Sequence, residues 1–157
     1  MEKRSESLTI QQFSEYAEYT VSSSHGQWIA RIWKNIVFVA TSGIWPPDRW
    51  DQSFGRFWNI FCERKKSWSK VYFIYETSNL PIQSVEFRNY LKENWIHLLD
   101  REDYCLNIVE PNSLKRTIWK SIYRLLNIQD KVHLFKSHSS ALYWIQQDRL
   151  KSETTAE

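Results

Sequence analysis

Chemistry and position coincide in one stretch of this sequence: Glu76-Thr77-Ser78-Asn79, with Ser84 shortly after it. The stretch follows the apolar run Val71 to Tyr75 and precedes a helical pattern. In open α/β sheets, ligands and partners meet the loops at the carboxyl ends of strands. A hydroxyl entering a helix caps it by accepting a backbone N–H. The same place favours a phosphate, because free N–H groups and the helix dipole stabilise the added charge. A second set, Lys115, Arg116, Lys120 and Arg124, forms a basic band beside the apolar stripe of a later helix. Such a band is a solvated face or an anion- and partner-docking surface, and salt screens it unless phosphate-rich groups are involved. A third set, Trp50, Phe54, Trp58 and Trp95, supplies walls for an apolar pocket or bulk for a core.

The usual catalytic constellations are missing from the pattern. His25, His97, His133 and His138 share no metal-ligand spacing with one another, with a cysteine or with a carboxylate. Asp100, Glu102 and Asp103 read as a solvated turn. Three glycines lying far apart cannot build a phosphate cradle. Cys62 and Cys105 are too few for a metal cage and read as buried thiols of a reducing compartment. The expectation is a protein that is not an enzyme and needs no cofactor.

The elements that must position these residues are legible from periodicity. Tyr19 to Ser24, Trp28 to Trp33 and Ile36 to Ala40 are strand-like, with reversals at Ser24–Gln27 and Lys34-Asn35. The unbroken apolar run Ile36 to Ala40 predicts a strand buried on both faces. Pro46-Pro47-Asp48 opens the first helix, whose stripe is Trp50, Phe54, Phe57, Trp58 and Phe61, with Gly55 read as a site of close helix approach. Val71 to Tyr75 is a strand, and a second helix carries Phe87, Leu91, Trp95 and Leu98. The strand Tyr104 to Val109, a helix capped at Asn112 or Ser113, the strand Val132 to Phe135 and a last helix capped at Ser137 or Ser139 complete the order.

Strand-length runs alternating with longer amphipathic stretches predict an α/β fold. The sheet is expected to be mixed and mostly parallel, with antiparallel N-terminal strands and about four helices. Residues 1–15 read as a polar N-terminal segment, 16–150 as a single domain and 151–157 as a charged tail. A chain of 157 residues can bury a core without staples. Its nine Trp, eight Tyr and eight Phe mean that few side chains fill much of that core. A net charge of +3 does not call for nucleic acid, and no run is long and apolar enough to span a bilayer. The start carries no signal-peptide pattern, so a cytoplasmic location is expected.

The segment Asn107-Ile-Val-Glu-Pro-Asn-Ser-Leu-Lys-Arg-Thr-Ile-Trp119, then Gln129-Asp-Lys-Val-His-Leu-Phe135 and Ser140-Ala-Leu-Tyr-Trp-Ile145, resembles the STAS-like fold in its SpoIIAA-like, anti-sigma-factor-antagonist-like branch. The shared pattern stands here as Val132, Phe135, Ala141, Leu142, Trp144 and Ile145. The resemblance implies a non-enzymatic regulator that binds another protein or a second copy of itself, some members being switched by phosphorylation of a Ser or Thr at a helix start. Ser84 is the matching position, although the acidic residue before it and the glycine after it are absent. The branch also looks related to lipid carriers, which makes an apolar small molecule in the Trp50, Phe54, Trp58 and Trp95 pocket the alternative.

Overall fold

The computed structural model describes residues 7–13, 16–65, 69–79, 81, 84–94 and 103–154. The strands are β1 (Ser7–Phe13), β2 (Tyr16–Ser22), β3 (Gly26–Trp33), β4 (Ile36–Gly43), β5 (Val71–Glu76), β6 (Tyr104–Val109) and β7 (Val132–Phe135). The helices are α1 (Pro47–Lys65), α2 (Val85–Asn94), α3 (Ser113–Leu125) and α4 (His138–Thr154). All seven strands form one sheet in chain order. β1 to β4 are an antiparallel meander, and β4 to β7 run parallel.

The N-terminal segment read above as polar contains a strand from Ser7. Residues 7–13 pair with β2 along their full length, Ser7 opposite Ser22 and Phe13 opposite Tyr16. Leu8 and Ile10 alternate with polar residues, which is the pattern of a strand with one covered face, and the high polar content hid it.

Turn chemistry sets the registers. Lys34 adopts a left-handed conformation in the two-residue reversal between β3 and β4. Gly43 has φ +86°, and a Cβ there would lie 2.1 Å from the His25 carbonyl, so only glycine fits opposite Gly26. α3 ends in a Schellman motif: Asn127 has φ 57°, its N–H donates to Arg124, and the Ile128 N–H donates to Tyr123. Ile128 and Tyr123 then pack together, turning the chain into β7.

Alternation of side chains assigns the helices to faces. Phe73 and Tyr75 of β5 face the cluster built with α1 and α2, and Tyr75, Leu106 and Ile108 continue onto α3. Tyr72, Ile74, Cys105 and Val109 point the other way, onto Ala141 and Ile145 of α4. One face is therefore covered by α1, α2 and α3 and the other by α4. β4 is buried from both sides as its apolar run predicts, Val37 and Val39 under α1, Ile36 and Phe38 toward α4.

The aromatic excess fills the α1 side. Trp28 lies 5.6 Å from Phe57 and 5.8 Å from Phe54 in edge-on geometry, and its indole N–H donates to Ser53 at 3.2 Å. Gly55 is not a point of close approach: a Cβ added there would meet nothing within 4 Å.

Candidate functional site

The parallel pairing of β5 and β6 sets Glu76 opposite Val109, so the residues that follow, Thr77 and Glu110, emerge side by side at the carboxyl end of the sheet. The Thr77 N–H donates to the Val109 carbonyl at 3.1 Å, extending the ladder one step past the strands. Both side chains are almost fully buried, at 1% exposure each. A buried carboxylate needs several hydrogen-bond donors, and Glu110 has them. The Thr77 hydroxyl donates to Oε1 at 3.1 Å, and the Asn112 N–H donates to Oε2 at 3.2 Å. Lys115 Nζ stands 3.8 Å from Oε1 and donates to the Ser78 carbonyl at 3.2 Å.

Local sequence explains this arrangement. Pro111 stops β6, and Asn112 caps α3 by accepting the Lys115 N–H at 3.0 Å. The first turn of α3 is thereby pinned beside the sheet edge, with Lys115 aimed back across the loop after β5. Arg116 Nη1 donates to the carbonyls of Glu110 and Pro111, at 2.8 and 2.7 Å, and so holds the link between strand and helix. On the other side, Ser78 donates to Glu76 Oε1 at 3.0 Å. His138, the first residue of α4, lies 3.5 Å from the same oxygen. Four elements, β5, β6, α3 and α4, converge on one hydrogen-bonded polar surface.

Two sets that are separate in sequence are one site in space. Thr77 and Ser78 meet Lys115 through Glu110 and the Ser78 carbonyl, Arg116 holds the Glu110-Pro111 link beside them, and Asn79 is exposed at the rim. Lys120 and Arg124 do not join them. One and two turns further along α3, they line a groove of about 460 Å³ beside β7, with Tyr123, His133, Leu134 and Trp144. Ser84 acts as the cap of α2: its Oγ accepts the Phe87 N–H at 3.1 Å and its carbonyl accepts the Arg88 N–H at 3.0 Å.

The aromatic set is placed in the core. Trp50 stacks on Phe54 at 5.0 Å, Phe54 on Trp58 at 6.1 Å, and Trp58 on Phe73 of the sheet at 6.3 Å. A lipid-sized opening there would require these rings to part. Trp95 lies outside the described residues.

No family model matches the chain, and no curated protein does. Among solved structures, the chain is similar to an anti-sigma factor antagonist from Mycobacterium paratuberculosis. Identity is 9%, 90% of this chain and 95% of that chain are covered, and the TM-score is 0.45.

A second polar group lies between α4 and the sheet. Asp148 of α4 accepts from Lys70 Nζ at 2.6 Å and from the Tyr72 hydroxyl at 2.7 Å. Burial pushes the Asp148 carboxyl up, and the bonds from Lys70 and Tyr72, with the lysine charge, overcome this and hold it below its ordinary value. Tyr72 is pushed far above the usual phenol range by burial and by its bond to Asp148. Burial pushes the Cys105 thiol up to about 11, which leaves it a poor nucleophile. His133 is held below its ordinary value, mainly by burial. Lys70, Tyr72 and Asp148 hold α4 onto the sheet through paired hydrogen bonds.

Sequence reasoning gave no role to Glu110 or His138 in the site. The signal for Glu110 was a carboxylate directly between a strand-length apolar run and Pro111, where a side chain cannot reach solvent without leaving the sheet edge. His138 carries no such signal, because only the packing of α4 brings it to Glu76.

Proposed function

We propose that this chain is a non-catalytic regulatory module that docks a partner protein on the polar surface formed by Glu76, Ser78, Asn79, Lys115 and Arg116, with Thr77 buried beneath it. The observation that carries this reading is the buried Glu110 carboxylate, which ties the loop after β5 to the first turn of α3. A surface held in this way is preorganised, and ordering it costs little on binding. The Thr77 hydroxyl donates to the buried Glu110 carboxylate and the Ser78 hydroxyl to Glu76, so both are tied into the network. The STAS-like resemblance in the second half of the chain supports the same class, acting in the cytoplasm.

In this reading Ser84 is the switch point. Its side chain stands at the positive end of α2 and the residue is exposed, so a phosphate there would meet free backbone N–H groups and add charge close to the proposed surface in sequence.

A photo-crosslinking residue placed at Asn79, with Lys34 in the β3–β4 turn as the control position, tests the docking surface in the native cell. The expected result is one protein crosslinked from position 79 and not from 34. The purified pair should bind, and Lys115→Glu should weaken that binding by about tenfold, the usual scale for a charge reversed in an interface. Equal labelling from both positions, or a partner indifferent to Lys115→Glu, would refute the surface. Intact-mass measurement of protein from its own cells tests the switch: absence of phosphate, with Ser84→Asp leaving partner binding unchanged, removes it.

A further inference from the structure

The groove beside β7 lies apart from the surface just described, and its geometry can be worked out from the parallel ladder. Glu110 N–H donates to the Phe135 carbonyl, and Val109 is opposite Phe135. In a parallel pair, the residue that accepts in this way turns both its own N–H and its C=O to the neighbouring strand, and alternate residues do the same. Phe135 and His133 therefore face β6 with their backbone groups. Val132 and Leu134 direct theirs outward, along the last strand of the sheet.

Among the described residues no strand pairs with this edge, and the groove runs along it. Leu134 and Tyr123 line it on the α3 side, and His133 and Trp144, with ring centroids 4.4 Å apart, on the α4 side. An added strand lying there would place alternate side chains against these two apolar walls.

The charge around it is mostly positive. Lys120 and Arg124 overhang the groove from α3, are exposed, and have no side-chain hydrogen bond or ion pair among the described residues. Lys131 and Lys136 bracket the strand, and Asp130 is the acid in the preceding turn. Cations on an edge strand repel a second copy of the same edge and so guard against self-pairing. The same charges attract a strand of opposite sign, which makes them a selector as well as a guard.

We infer that the open edge of β7 takes up an extended acidic segment of a partner protein as an added strand. Val132 and Leu134 supply the backbone bonds, and Lys120 and Arg124 select the charge. Short edges of this kind bind through main-chain hydrogen bonds, with specificity from alternate side chains.

The test uses the full chain labelled with ¹⁵N and three capped heptapeptides. One alternates valine with glutamate, one alternates valine with lysine, and one is the glutamate peptide N-methylated at the residues that would face β7. The glutamate peptide should bind with a dissociation constant of about a millimolar or tighter and slow exchange of the Leu134 N–H. The lysine peptide and the Lys120→Glu/Arg124→Glu variant should each lose about tenfold in affinity, as charge complementarity at an interface requires. The N-methylated peptide should not bind, whether or not the charge-reversed variant folds. Lys115→Glu should leave this binding intact, which separates failure here from failure of the docking surface at the end of β5 and β6. Equal binding of both charged peptides, binding that leaves Leu134 exchange unchanged, or no binding would overturn the inference. So would a concentration-dependent dimer that protects the same amides without peptide, or a single-stranded oligonucleotide that occupies the groove while all three peptides fail.

Discussion

Replacing Glu110 with alanine is the sharpest perturbation of the proposed surface. The carboxylate is 1% exposed and receives the Thr77 hydroxyl, the Asn112 N–H and the charge of Lys115. Removing one member of a buried charged pair costs about 3–5 kcal/mol when the other is left buried. Lys115 is 31% exposed and keeps the Ser78 carbonyl, so water recovers part of that loss. Thr77 can still donate to the Val109 carbonyl, which is 3.3 Å away. The expected cost is therefore near the lower end, about 3 kcal/mol. At about 2–4 °C per kcal/mol for a chain of this size, Tm should fall by about 6–12 °C. Urea unfolding gives the free energy directly, and Glu110→Gln, which keeps shape and one acceptor, should lose about half as much. Thr77→Val combined with Glu110→Ala should cost less than the sum of the single changes by about 1 kcal/mol, because both remove the same bond. A Glu110→Ala cost under about 1 kcal/mol, or strict additivity with Thr77→Val, would refute the idea that this carboxylate organises the surface.

Other parts of the fold carry their own expectations. Gly55→Ala should stabilise by about 0.5–1 kcal/mol in urea unfolding, since a mid-helix glycine with open space around it only adds unfolded-state freedom. Phe57→Ala should cost about 3–5 kcal/mol, because Phe57 is fully buried between Tyr19 and Trp28. His133 has a folded-state value below 6.5, so the unfolded chain takes up a proton first as pH falls. Stability should therefore decline as pH drops below about 6.5, and His133→Gln should flatten that part of a stability–pH curve. Iodoacetamide at pH 8 should leave Cys105 unmodified in the native protein and label it on unfolding, as peptide mass mapping would show, because burial raises its thiol to about 11.

Much of the architecture was present in local pattern. Tyr104 to Val109 and Val132 to Phe135 are apolar runs of strand length, and the stretches after Asn112 and Ser137 are long enough for helices, which states strand–helix–strand–helix. The four-helix count and the antiparallel-then-parallel order follow from the same periods and from short against long connections. The strand at residues 7–13 was missed because an edge strand in polar company has few apolar residues to reveal its alternation. The close approach expected at Gly55 was wrong because a glycine in a helix has several causes, and only the neighbouring atoms distinguish them.

What the sequence determined by itself, then, is the set of elements after residue 16 and the capping and stopping residues between them: Pro111, Asn112 and Ser84 act locally and are readable as such. Which of the candidate residues meet was decided by tertiary structure. The basic band of α3 is continuous in sequence, yet Lys115 and Arg116 serve the ends of β5 and β6, and Lys120 and Arg124 serve the edge of β7. The reason is geometric. A helix advances about 1.5 Å per residue, so residues one or two turns apart reach past different strands of the sheet beneath. Only the strand order says which strands those are.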